Sequence, residues 1–169
     1  DFSEEGRGIA IINRGKYGVS PEIKGMSLSL LRATIRPDVE SDIGQHSICY
    51  LILPHIGNHV NGNVNKKAFE YNTELIPVKA DSNISVDHSS PIYTVLSSIL
   101  KHKNIYLQTM KLSEDKKYII FRLSEQDGKR GELIFDKEIT SFNLIEDVNG
   151  SSFKIKYSPF EILTVGIEL

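Results

Sequence analysis

Short apolar stretches of period two, broken by Gly, Asn, Asp and Pro, run through most of this chain, the pattern of half-buried antiparallel strands. Met26, Leu28 and Leu30 alternate with Ser27 and Ser29, and Phe153, Ile155 and Tyr157 alternate with Ser152, Lys154 and Lys156. Ile9–Ile12 and Ile48–Leu53 are apolar throughout, which predicts strands covered on both faces by a further layer. More strands are predicted at Phe69–Leu75, Ile105–Leu112, Tyr118–Leu123, Glu132–Phe135, Ile139–Ile145 and Ile162–Glu168. Turn chemistry separates them at Glu114–Lys116, Gln126–Lys129 and Val148–Ser151, the last holding an Asn-Gly pair suited to a tight hairpin. Pro91–His102 is the one stretch with helical character, against its β-branched content. Pro54–Lys67, rich in Gly and Asn, reads as a long exposed loop. A second polar segment, 79–90, precedes a boundary near residues 88–104.

The fold class that follows is all-β, with residues 1–95 as one β region and 102–169 as a small sandwich of immunoglobulin type. At 169 residues a substantial core is expected. Hydrophobic residues at 40% and charged residues at 25% are ordinary for a globular protein, which argues against disorder.

Charge narrows the partners. Twenty basic and 22 acidic residues leave a net charge of -2 without a block of like charges, so nucleic acid is not an expected partner. No apolar run approaches 18 residues, so no membrane-spanning helix is expected. The lone Cys49 lies in an apolar run, where a thiol packs as a small hydrophobe, and no disulfide can form within the chain. That usage fits the cytoplasm. The sequons at Asn83 and Asn149 matter only in an exported protein. The chain opens at Asp1 without an initiator methionine, which implies a piece of something longer.

Candidate chemistry is sparse. Asp38, Glu40 and Asp42 alternate before Gly44, but a calcium loop counted from Asp38 has Ile43 where Gly is needed and Cys49 where the bidentate Glu is needed. His55 and His59 have the spacing of a helical zinc pair, yet Pro54, Gly57 and the Asn-Gly turns oppose a helix there, and no Glu follows His55. His46 is placed at the start of a strand, hydrogen-bonded to the neighbouring loop. No nucleophile elbow or phosphate-binding glycine loop is present. Carboxylate pairs that hydrolyse glycosides are set by spatial separation, which no motif reports.

The stretch Gly8–His55 carries an ordered set of elements: Asn13, Lys16-Tyr17-Gly18, Leu30-Leu31-Arg32, Pro37-Asp38, Gly44 and His46, Tyr50, and Pro54-His55. With Lys111, Arg122-Leu123-Ser124-Glu125 and Ser158–Ile162 further on, it resembles the C-terminal β region of family 38 glycoside hydrolases, the zinc-dependent retaining α-mannosidases. The resemblance implies that residues 1–95 are part of a large antiparallel, galactose-mutarotase-like β-sandwich, followed by the small one.

It also implies an upstream catalytic domain, absent here, holding a zinc ion on two His and two Asp and a nucleophilic Asp. No catalytic residue, metal ligand or cofactor is therefore expected in this chain itself. Arg32, Asp38, Asp42 and His46 are the substrate-rim candidates, with Arg32 expected to pair with Asp38 or Asp42. Implied partners are the catalytic domain and a mannoside, and unpaired sheet edges would favour self-association. Three roles are open: a non-catalytic module of a mannosidase, an autonomous carbohydrate-binding module, and a purely structural sandwich. The lack of Trp counts against the second.

Overall fold

The computed structural model describes residues 1–77, 79 and 87–169, and the chain divides into two compact units, Asp1–Val78 and Lys79–Leu169. The sequon at Asn83 and most of the polar segment 79–90 lie outside the described residues. Strands dominate, and all pairings among the described residues are antiparallel. The all-β expectation holds.

The first unit is built on a three-stranded sheet of order β1-β2-β5, from Phe2–Glu4, Arg7–Asn13 and Tyr50–Ile56. A hairpin of β3 (Val19–Glu22) and β4 (Gly25–Leu28) stands beside it in sequence as a separate two-stranded sheet. Register places Ala10 opposite Leu53 and Ile12 opposite Leu51, on the face where Ala10 and Ile12 are buried. The other face carries Phe2 and Pro54 beside Ile9, then Ile11 opposite Ile52, and Ile56 and Tyr50 at its ends. Phe2, Ile9, Tyr50, Ile52 and Ile56 are between 41% and 82% exposed, so cover on both faces is not found within the described residues.

Helix α1 (Val64–Asn72) replaces two expectations, the loop over 54–67 and the strand over 69–75. Strand β5 instead continues through Ile56, and Asn58 then organises the turn by accepting the N–H groups of Val60 and Asn61. Only Val64 of the helix is buried, which leaves its apolar periodicity too faint to read. Its end is held from outside: the Arg14 guanidinium lies 5.0 Å over the Tyr71 ring, and its Nη2 donates to the Tyr71 carbonyl at 2.8 Å. A cation there satisfies a carbonyl that the last helical turn leaves without a partner.

The second unit is a five-stranded sheet of order β6-β7-β10-β8-β9, comprising Ile105–Leu112, Tyr118–Glu125, Ile162–Glu168, Gly131–Phe142 and Val148–Tyr157. Helix α2 (Pro91–Leu100) packs on β8 and β6, with Ser90 Oγ accepting the Tyr93 N–H and Pro91 in the first turn. Its Val95 and Ile99 join Phe121, Leu123, Leu133, Ile139 and Val165 in one core. The two predicted strands at 132–135 and 139–145 are one long β8 with a register shift between Ile134 and Ile139. The predicted hairpin turn at Val148–Ser151 is already strand β9. The chain reverses earlier, where Asn143 Oδ1 accepts the N–H groups of Ile145 and Asp147.

One buried carboxylate joins three segments of this unit. Glu125, 2% exposed, accepts from Asn104 Nδ2 at 3.0 Å and from the backbone N–H groups of Asp127, Gly128 and Phe160 at 3.0, 2.8 and 2.9 Å. Burial alone would push its carboxyl up. The donors from Phe160, Asn104 and Asp127 outweigh that and hold it down to about 2.

Candidate functional site

Two turns in the first unit enclose a cleft of about 760 Å³ lined by Gly15, Lys16, Tyr17, Gly18, Ser29–Arg32 and Asp42. The first turn follows β2, where Asn13 Oδ1 accepts the Lys16 N–H at 2.8 Å and Gly15 takes a left-handed φ of 67°. The second follows β4, and Ser29 N–H donates to the Gly18 carbonyl at 2.8 Å. A Cβ on Gly18 would stand 2.8 Å from Ser29 Cβ, so only glycine permits this approach.

Of the four residues predicted at the rim, the structure brings Arg32 and Asp42 to this cleft, and Asp38 and His46 are not among its lining. Asp42 Oδ2 accepts the Ala33 N–H at 2.5 Å, closing the loop on itself, while the Asp42 carbonyl lies 3.1 Å from His46 Nε2. Asp38 Oδ1 accepts the Glu40 N–H at 2.9 Å. Among the described residues no ion pair joins Arg32 to Asp38 or Asp42, and these carboxylates each accept a backbone N–H within their own loop. His46 does bond the loop, as predicted, but it precedes β5 and starts no strand.

Lys16 and Tyr17 also line the cleft, and the Lys-Tyr-Gly element is the sequence signal that holds them. Tyr17 is 94% exposed, a ring held at a rim with little packing of its own. A cleft offering a guanidinium, an ammonium, a carboxylate and an exposed phenol suits a polyhydroxylated ligand, whose hydroxyls both donate and accept. Among the described residues no group of three or more His, Cys, Asp or Glu is placed to hold a metal ion. Cys49 is exposed and lies just outside β5, which corrects its reading as a packed hydrophobe. Among the described residues no helix is long and apolar enough to cross a membrane.

Residues 104–165 match the model of the glycosyl hydrolases family 38 C-terminal beta sandwich domain. The chain belongs to the C-terminal β region of family 38 glycosyl hydrolases. Similarity extends beyond that domain. The chain is 28% identical to a human protein named alpha-mannosidase 2C1 over 98% of its length, and 32% identical to alpha-mannosidase G of Dictyostelium discoideum over 97%. It is 36% identical to an alpha-mannosidase of Saccharomyces cerevisiae over 68% of its length. It spans only 17%, 16% and 10% of those relatives. The family 38 domain match starts at Asn104, the side chain that donates to Glu125, and takes in strands β6 to β9 and most of β10. The cleft around Arg32 lies before it, within the part shared with the longer relatives.

Proposed function

We propose that this chain is a non-catalytic β region of an α-mannosidase, buttressing a catalytic domain and lending Arg32, Asp42, Lys16 and Tyr17 to the rim of its mannoside subsite. The observation that carries this reading is the apolar sheet face of Phe2, Ile9, Ile52 and Ile56, each at least 41% exposed in the chain by itself. Contiguous apolar surface of that kind marks an interface. The relatives, about six times longer, supply the polypeptide to cover it. Catalytic carboxylates and zinc would then belong to that remainder. The cytoplasm is the proposed compartment, since an exposed thiol with no intrachain partner suits a reducing milieu.

The test is to assay an aryl α-mannoside with the chain alone and with the whole enzyme that contains it. The chain alone should be inactive, and Arg32→Ala in the whole enzyme should raise KM about tenfold with a smaller effect on kcat. Turnover by the isolated chain, or an unchanged KM, overturns the reading.

A further inference from the structure

The second unit has a concavity of its own, about 490 Å³, lined by Gln108, Arg122, Ser124, Glu125, Gln126, Phe160 and Ile162. Its volume lies within the range of small-ligand sites. Both charged members already have partners within the unit, although Arg122 Nε is buried without one. Glu125 is filled by the four donors described above, and Arg122 donates to the Leu144 carbonyl at 3.2 Å and lies 3.9 Å from Glu146 Oε1. The lining has no other ionic side chain, and its remaining groups are neutral.

What the pocket does present is neutral polarity beside an aromatic ring. Gln108 and Gln126 both donate an amide N–H to Ser124 Oγ, each at 2.7 Å. With both lone pairs taken, the Ser124 hydroxyl can act only as a donor. Gln108 is exposed and carries a carbonyl and a second N–H on the same planar amide. Phe160 forms a wall, and it is 72% exposed. Its backbone is fixed in the left-handed region at φ 59° with its N–H on Glu125 Oε2, and its ring tip lies over Gly128, where a Cβ would stand 2.9 Å from Cζ. Glycine at 128 is what lets the ring lie there.

An exposed aromatic on a fixed backbone beside planar amides matches a pyranose ring. The apolar C–H face of the sugar covers the ring, and its hydroxyls meet donor and acceptor at the edge. We infer that this pocket binds a neutral pyranose glycan, at a site distinct from the cleft of the first unit. The absence of Trp does not decide against sugar binding, because the turn at Ser158–Glu161 brings out a Phe instead.

Titration of the 15N-labelled chain with methyl α-D-mannopyranoside and with α1,2-mannobiose tests this by amide shifts. Saturable shifts at Ser124–Gly128 and Phe160 are expected at millimolar sugar. Phe160→Ala and Gln108→Ala should each weaken binding about tenfold or more, whereas Phe153→Ala, at a half-exposed ring in β9, should not. No saturable shift, shifts confined to Lys16–Gly18 and Arg32, or full binding by a folded Phe160→Ala variant would overturn the site. Tighter binding of mannose 6-phosphate than of the neutral sugars would overturn the ligand class. Because the readout maps to one unit, this outcome is independent of the rim proposed around Arg32.

Discussion

His55 Nε2 lies 2.6 Å from Asp1 Oδ1, with the imidazole side chain 3% exposed. The contact joins the first residue to β5, and the ring fits only because its neighbours lack side chains. A Cβ on Gly62 would stand 2.5 Å from His55 Cγ, and one on Gly8 would fall on the same ring. Gly62→Ala is expected to destabilise the first unit by about 1–3 kcal/mol, the usual cost of overpacking. In a His55→Ala background the same change should cost far less. Urea unfolding followed by circular dichroism checks both, and equal costs in the two backgrounds would show that the ring is not the obstacle.

The Glu125 carboxylate gives the second unit a defined acid sensitivity. Its folded pKa of about 2 lies below the ordinary 4.5, so the stabilisation is fully present above the unfolded value and is lost as pH falls from about 5 toward 2. A shift of that size corresponds to about 3 kcal/mol at neutral pH. Glu125→Gln should remove that part of the pH dependence and lower stability at pH 7 by a similar amount, since an amide N–H would then face backbone donors. Urea midpoints between pH 2.5 and 7 are the measurement. Parallel curves for the two proteins would refute the assignment.

Arg14 is predicted to matter as a planar group rather than as a charge. Arg14→Ala should loosen α1 at a cost of about 1 kcal/mol, and Arg14→Lys should recover little, because an ammonium cannot both cover the Tyr71 ring and reach its carbonyl. Hydrogen exchange at Phe69–Thr73 reads this out, since the Thr73 N–H is bonded to the Phe69 carbonyl.

The open sheet face separates stability from assembly. Ile52→Lys should change the stability of the isolated chain by no more than about 0.5 kcal/mol, as at other exposed positions, whereas Ile12→Ala should cost about 2–4 kcal/mol. The same lysine should abolish any self-association seen by light scattering and impair assembly in the whole enzyme. A large loss of stability in the isolated Ile52→Lys chain would mean that this face is closed after all.

Most of the second unit is legible along the chain because its signals are local. Apolar runs bounded by turn residues mark β6, β7 and β10, alternation marks β9, and Pro91–His102 marks α2, each overlapping where it is found. The first unit is harder to read. Helix α1 buries a single side chain, and its anchor is Arg14, 57 residues from Tyr71 in sequence. The break between β8 and β9 lies upstream of the Asn-Gly pair because the Asn143–Asp147 bonds draw the reversal there.

By itself, the sequence determined the all-β class, the antiparallel strands of the second unit and the family, since alternation and ordered motifs are properties of neighbours along the chain. Only the tertiary structure decided which face of β2 and β5 lies open, that Arg32 meets Lys16 and Tyr17 at a cleft rather than pairing with Asp42, and that Phe160 stands exposed above Gly128. Each of these depends on groups brought together across strands and turns, and the free energy of such a contact is set by distance in space, which spacing along the chain does not encode.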